Sequence, residues 1–384
     1  ILTAREILED AADGSADASQ LLDAAEQRIF DIRRGKNMQG LQRVNELVIQ
    51  TFDRLDLLNS PESDMFKGVP TGIKELDDTI TGLNRSDLIL LAARPGMGKT
   101  SFALNIMRHA AVVAKKRVAF FSLEMSKEQL ASRLLSTESM VSSIKLRTGK
   151  LDEGEWMRLI EGGDILSKTQ MYFDDSSQIT VPEMKAKLRR LKDVDLVIID
   201  YLQLMTGGTQ DSKGNREQEV AFISRTLKAI AKELNVPIIA LSQLSRATEL
   251  RGGSKRPQLS DLRESGAIEQ DADIVAFIHR PEYYGINQDE NGMPTAGMAE
   301  IIIAKHRNGA VTDVNLRFLK DQARFADVDE TLMPEAGSRP APGQYEDVSS
   351  GSNSGLGGFG GVPEEFLTPG VSGAPVNLNE EEPF

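Results

Sequence analysis

The segment Ala93-Arg94-Pro95-Gly96-Met97-Gly98-Lys99-Thr100, with Ser101 after it, concentrates the residue types that bind phosphate. Its glycines let the backbone turn tightly enough for successive N–H groups to wrap a phosphate. A helix opening at Lys99 would aim its positive end at the same anion. Lys99 would neutralise the β- and γ-phosphate oxygens of a nucleoside triphosphate, and the Thr100 hydroxyl would ligate Mg²⁺. Ala93 departs from the general Walker A pattern, which opens on Gly; a methyl group is tolerated there if the local φ is negative. One hundred residues after Thr100, the apolar run Leu196-Val197-Ile198-Ile199 ends in Asp200, the form of a Walker B strand. Asp200 would hold Mg²⁺ through a water. Hydrolysis also needs a group to orient the attacking water. Glu124, in Phe121-Ser122-Leu123-Glu124-Met125-Ser126, is the candidate; its competing reading is a helix N-terminal charge ahead of Ser126.

These residues require strands to hold them and helices to follow. Apolar runs of strand length fall at 87–93, 117–122, 171–173, 195–199, 237–241, 273–279 and 298–304, and helical patterns at 99–114, 127–138, 181–191 and 218–234. Near-continuous Val/Ile/Leu strands alternating with helices predict an α/β domain over 68–330, with a mostly parallel central sheet covered on both faces. Glu124 then lies at the carboxyl end of its strand, facing the crevice where open α/β sheets bind nucleotides. Ahead of this domain, 18–58 reads as two amphipathic helices and 59–67 as a linker. The chain begins with Ile1, which suits a fragment of a longer protein.

Composition narrows the chemistry further. The 384 residues contain no Cys and three His, so thiolate zinc sites, disulfides and a cysteine nucleophile are excluded and a His-rich metal centre is not expected. No apolar run is long enough to span a membrane. The net charge is −13, which argues against a nucleic-acid partner until it is sorted by segment. Residues 336–384 hold ten Gly, six Pro and a net charge of −6, a composition expected to be disordered. The remaining −7 is mild. Cations gather in 246–266, which holds Arg246, Arg251, Lys255, Arg256 and Arg263, while 206–216 is a polar, glycine-containing loop.

Six segments taken in order carry a resemblance. They are Ala-Arg-Pro-Gly-Met-Gly-Lys-Thr, Phe-Ser-Leu-Glu-Met, Ile-Ile-Asp-Tyr-Leu-Gln-Leu-Met, Leu-Ser-Gln-Leu-Ser-Arg, Ser-Asp-Leu-Arg-Glu-Ser-Gly-Ala-Ile-Glu-Gln-Asp-Ala-Asp and Lys305-His306-Arg307-Asn308-Gly309. Over about 18–329 the chain resembles the bacterial replicative DNA helicases of the DnaB type. The resemblance implies a RecA-like P-loop ATPase core, built as a ring of six around single-stranded DNA, using ATP and Mg²⁺. It implies that Glu124 is the catalytic glutamate and that Gln243 senses the γ-phosphate. It also implies that Lys305 and Arg307 reach the γ-phosphate of the neighbouring subunit, Arg307 as arginine finger. Without it, Gln243 is a polar strand-end residue and Lys305 and Arg307 are solvated cations sharing one face of an extended strand. The resemblance further assigns DNA-phosphate contact to the backbone around Arg263-Glu264-Ser265-Gly266, with Arg246 a further DNA-binding candidate, makes 18–34 a helix that docks on the next subunit, and makes 1–17 the remnant of an upstream helical domain. Primase, a helicase loader and other replication proteins are the partners implied, in the cytoplasm at the nucleoid. The terminal Glu380-Glu381-Glu382-Pro383-Phe384 resembles the tip of bacterial single-stranded-DNA-binding proteins, its other reading being a solubilising tail.

The competing readings are a RecA-like recombinase that forms filaments on DNA, and a nucleotide-gated scaffold that unwinds nothing. Closed rings against open filaments separate the first from the helicase. Intact Lys99, Glu124, Asp200 and Arg307 argue against the second.

Overall fold

The computed structural model of the protein describes residues 7–8, 11–12, 21–26, 43–60, 67–205, 216–245, 255–288 and 292–329. The expectations for most of 1–17, for 206–215, for Arg246, for the tail at 336–384 and for most of the helix at 18–34 therefore lie outside the described residues. Residues 21–26 are helical.

In chain order the elements are α1 (Val44–Leu58), α2 (Lys74–Ile80), β1 (Leu88–Ala93), α3 (Lys99–Arg108), β2 (Val118–Ser122), α4 (Lys127–Ser139), α5 (Ser143–Thr148), α6 (Glu153–Ser167), β3 (Met171–Asp174), α7 (Val181–Leu191), β4 (Leu196–Asp200), α8 (Arg216–Leu234), β5 (Ile238–Gln243), α9 (Gly266–Asp271), β6 (Ile274–His279), β7 (Met298–His306), β8 (Thr312–Leu319) and β9 (Arg324–Asp327). The strands form one sheet in the order β3-β2-β4-β5-β1-β6-β7-β8-β9. β3 through β6 run parallel, and β7, β8 and β9 add an antiparallel meander at one edge. The mostly parallel α/β sheet read from the apolar runs is thus the sheet that forms.

Every residue of β1, β2, β4 and β6 is buried, as expected for strands with both faces covered. One apolar layer joins Phe102, Met107, Leu130 and Leu134 of α3 and α4 to one face of the sheet. The other joins Met184, Leu227, Ile230 and Ile268 of α7, α8 and α9 to the opposite face.

Four details differ from the sequence reading. The helix expected over 99–114 is α-helical only to Arg108, and His109–Val113 forms a π-helical turn. Helices α2, α5, α6 and α9 and strands β8 and β9 lie outside the elements the sequence predicts. Strand β7 runs on to His306. Between Val275 and Ala276 its register slips, so that Val275 opposes Lys305 while Ala276 opposes Ile303. Ala304 is the extra residue of a β-bulge.

Candidate nucleotide-binding site

The P-loop forms where β1 leaves the sheet. Ala93 is the last residue of that strand, paired with Gln243 and absent from the positive-φ residues, so its methyl group costs nothing there. Gly96 and Gly98 have φ of 81° and 96°, a region that side-chain-bearing residues rarely adopt. A Cβ on Gly98 would also lie 3.0 Å from the Phe325 ring. Phe102 N–H donates to the Gly98 carbonyl at 2.8 Å and starts α3. Arg94 donates to the Leu244 carbonyl at 2.8 Å, tying the loop to the end of β5. Met97 is 1% exposed and belongs to the core rather than to the cleft. Pro95, Lys99, Thr100 and Ser101 line the cleft.

That cleft has a volume of about 480 Å³ and also takes in Glu124, Arg133, Gln243, Arg280, Phe318 and Lys320. Strand β5 separates β4 from β1, yet Asp200 at the tip of β4 reaches across it. Thr100 Oγ1 donates to Asp200 Oδ2 at 2.5 Å. Lys99 Nζ lies 3.6 Å from Oδ1 and 4.4 Å from the centre of the Tyr201 ring. Burial pushes the Lys99 ammonium below its ordinary pKa, and the charges of Asp200 and Glu124 pull it partly back. Asp200 is fully buried and its Oδ1 has no hydrogen-bond partner. A buried carboxylate oxygen left open beside a threonine hydroxyl and the phosphate loop is the donor set a hard divalent cation requires. The residues present therefore fit Mg²⁺.

Glu124 is held by its neighbours. Ser122 Oγ donates to the Met125 carbonyl at 2.6 Å and accepts from Met125 N–H at 3.1 Å. Leu123 N–H donates to the Asp200 carbonyl at 2.7 Å, linking the ends of β2 and β4. Helix α4 is capped by Ser126 and Gln129 in a reciprocal box, so Glu124 is not its cap and stays exposed in the cleft. Gln243 lines the cleft from the end of β5, beside Gln203, whose side-chain amide donates to Ser242 Oγ at 2.7 Å.

Three cations of the cleft, Arg133, Arg280 and Lys320, are not singled out by the sequence. Arg133, one and a half turns into α4, sits in the field of Asp200 and Glu124, and burial lowers its pKa. The only signal in the sequence is a lone cation beside the apolar stripe of Leu130 and Leu134. Arg280 donates to the Gly96 carbonyl at 3.3 Å and stacks 3.9 Å from the Phe318 ring. Its contact depends on a strand, β8, that had not been read.

The other predicted residues are elsewhere. Lys305 and Arg307 do not line this cleft; both donate to the Gln270 carbonyl at the carboxyl end of α9, at 3.2 and 2.9 Å. They do share one face. Arg263, Glu264 and Ser265 lie in the 3-10 turn Leu259–Ser265, and Gly266 opens α9. Among the described residues no cluster of three or more His, Cys, Asp or Glu could hold a metal by itself, and no helix is long and apolar enough to cross a membrane.

Comparison with known proteins follows the same lines. The model of the DnaB-like helicase C terminal domain matches residues 68–327. The replicative DNA helicase DnaB of Geobacillus stearothermophilus is 45% identical over 341 residues, covering 87% of this chain and 73% of that protein. The replicative DNA helicase DnaC of Bacillus subtilis is 46% identical over 343 residues, covering 88% and 74%. A solved DnaB-like replicative helicase, described with its interactions with primase, superposes with a TM-score of 0.72 at 32% identity, covering 85% of this chain and 75% of that one. With its phosphate loop and exposed glutamate lining one cleft and Asp200 buried behind Thr100, the chain belongs to the DnaB-like replicative DNA helicases, enzymes that couple nucleoside triphosphate hydrolysis to DNA unwinding.

Proposed function

We propose that the protein is an ATP-driven motor that works as a ring of six, with ATP and Mg²⁺ bound at subunit interfaces and single-stranded DNA in the centre. The observation that carries this reading is the division of the chemistry between two places on one subunit. Lys99, Thr100, Glu124 and Gln243 share a cleft, with Asp200 buried behind Thr100, whereas Lys305 and Arg307 sit at α9, outside it. Besides the cleft's own Arg133, Arg280 and Lys320, the Lys305 and Arg307 pair would come from a neighbour.

Lys99 and the loop N–H groups would bind the β- and γ-phosphates, and Thr100 and Asp200 would hold Mg²⁺, which when bound neutralises charge on the phosphates. Glu124 would orient and deprotonate the attacking water, and Gln243 can both donate to a phosphate oxygen and accept from that water. Arg307 of an adjacent subunit, with Lys305, would stabilise charge on the transferring phosphoryl group.

Helix α1 supports assembly: Val44, Ile49 and Phe52 are 74%, 60% and 63% exposed, an apolar surface without a cover in one subunit. DNA would be held by Arg246 and by backbone around Arg263, Glu264, Ser265 and Gly266, a mode that reads no base and suits a motor that must move along any sequence. The helicase identity of relatives at 45% and 46% favours this over a recombinase filament. Partners in replication, primase and a loader among them, and a place in the cytoplasm follow from the same reading.

The test is subunit mixing. Lys99→Ala and Arg307→Ala proteins are each expected to be inactive as ATPases. Mixed, they should regain hydrolysis, because an intact phosphate loop on one subunit meets an intact finger on the next. No recovery on mixing, in rings shown to exchange subunits, would contradict a finger supplied in trans.

A further inference from the structure

The bulge at Ala304 decides which face of the sheet Lys305 and Arg307 occupy. Up to Ile303, β7 alternates regularly: Ala299, Ile301 and Ile303 face the layer of α3 and α4, while Ile302 and Ala304 face the layer of α8 and α9. Strict alternation would send Lys305 to the α3 side. The extra residue instead sets Lys305 opposite Val275, whose side chain belongs to the α8–α9 layer. A one-residue slip moves a strand's side chains to the other face. Here it brings both cations to α9.

There they meet acceptors that a helix end leaves open. Lys305 Nζ donates to the Glu269 carbonyl and, at 3.2 Å, to that of Gln270; Arg307 Nη2 donates to Gln270 at 2.9 Å. Asp273, two residues past the helix, completes the seat. Its Oδ1 lies 3.6 Å from Arg307 Nε, and its carbonyl accepts from Arg307 N–H at 2.9 Å. Asp273 is itself fixed, since its Oδ2 accepts from Leu88 N–H at 2.8 Å and pairs with Lys228. Asp271, at the end of α9, accepts from Ser224 Oγ at 2.8 Å. The finger pair is thus mounted on the carboxyl end of α9, and the amino end of α9 is Gly266, inside the segment read above as the DNA contact. Six residues of helix, about 9 Å at 1.5 Å each, join the two.

We infer that α9 couples DNA contact to the trans cations of the same subunit, with Asp273 as the positioning residue that holds Arg307 in register with the helix. The inference rests on the proposed roles of Arg307 and of the segment around Gly266. Displacement of α9 by DNA phosphates is passed to Gln270 and Asp273, and with them to the pair presented to the neighbour. By reciprocity, engagement of the pair by a neighbour's nucleotide must alter DNA affinity.

The experiment compares wild type with Asp273→Asn, which preserves shape and an acceptor for Leu88 N–H but removes the charge facing Arg307. ATP hydrolysis by the assembled protein is measured with and without oligo-dT. The expected result is a fall of about 5-fold or more in the ratio of DNA-stimulated to unstimulated rate, the lower end of ordinary coupling energies, with the KM for ATP unchanged. An unchanged ratio, or equal falls in both rates, would overturn the inference, because a merely structural residue moves both together. If the variant does not fold, amide exchange on the wild-type ring replaces it. Oligo-dT should change exchange at Arg307, whose N–H is held by Asp273, and no change there overturns the coupling. Arg307→Ala separates the two layers: if it hydrolyses ATP at the wild-type rate, the finger reading has failed; if it is inactive, a negative Asp273→Asn result concerns the coupling alone.

Discussion

Acid is expected to weaken this fold through one buried imidazole. His279 ends β6, is 2% exposed, stacks on Tyr284 with ring centres 5.8 Å apart, and its Nδ1 has no hydrogen-bond partner. Burial, helped by the positive charge of Arg256, pushes its pKa from 6.5 down to about 4. The unfolded chain therefore takes up a proton below pH 6.5 that the folded chain still refuses. The stability owed to neutral His279 is complete above pH 6.5 and is lost as the pH falls toward 4. At about 1.4 kcal/mol per pKa unit, about 2.5 kcal/mol of it is gone at pH 4.5 relative to pH 8. His279→Phe keeps an aromatic ring against Tyr284 and cannot titrate. Urea unfolding of both proteins at pH 8 and pH 4.5 isolates the effect, since carboxylate titrations are common to both. The variant should lose about 2.5 kcal/mol less on acidification. Equal losses would refute the assignment. Because the next residue, Arg280, donates to the Gly96 carbonyl, nucleotide affinity of the wild type should weaken over the same pH range.

Three further outcomes follow from the cleft and from α1. Thr100→Val removes the hydroxyl donated to Asp200 and should lower kcat by about 100-fold or more, since a catalytic metal supplies several kcal/mol; steady-state ATPase at saturating Mg²⁺ checks it. Arg133→Gln removes a half-buried cation from the cleft and should lower kcat by about 100-fold while changing KM much less; a rise in KM alone would make it a ground-state binder instead. Phe52→Asp, on the uncovered face of α1, should leave the thermal stability of the subunit unchanged but shift sedimentation toward species smaller than the wild type.

The core of the site was legible because its constraints are local. Gly96, Gly98, Lys99 and Thr100 must be adjacent to cradle a phosphate, and β1 and β4 announce themselves as unbroken apolar runs. What escaped depends on partners distant in the chain. Strand β8 alternates buried Val314 and Leu316 with exposed polar residues, a half-covered pattern easily lost among the charges of 312–319. Without β8 there was no Phe318 to stack on Arg280, and so no reason to bring Arg280 to the P-loop. Arg133 reads as a solvated helix cation until α4 is docked beside Glu124. Lys305 and Arg307 were rightly placed on one face, but the choice of face rests on the Ala304 bulge, which shows only in the register with β6. The acidic total of −13 likewise described the whole chain, whereas Lys99, Arg133, Arg280 and Lys320 gather in the cleft and Lys305 and Arg307 meet the carboxyl end of α9.

The central claim is that hydrolysis in this cleft drives strand separation. A forked duplex with a free single-stranded arm, incubated with the assembled protein, ATP and Mg²⁺, tests it most directly, with Lys99→Ala assembled in the same way as the control. Strand separation by the wild type and none by the variant is the result predicted. ATP hydrolysis without unwinding, or unwinding that survives Lys99→Ala, would contradict the account.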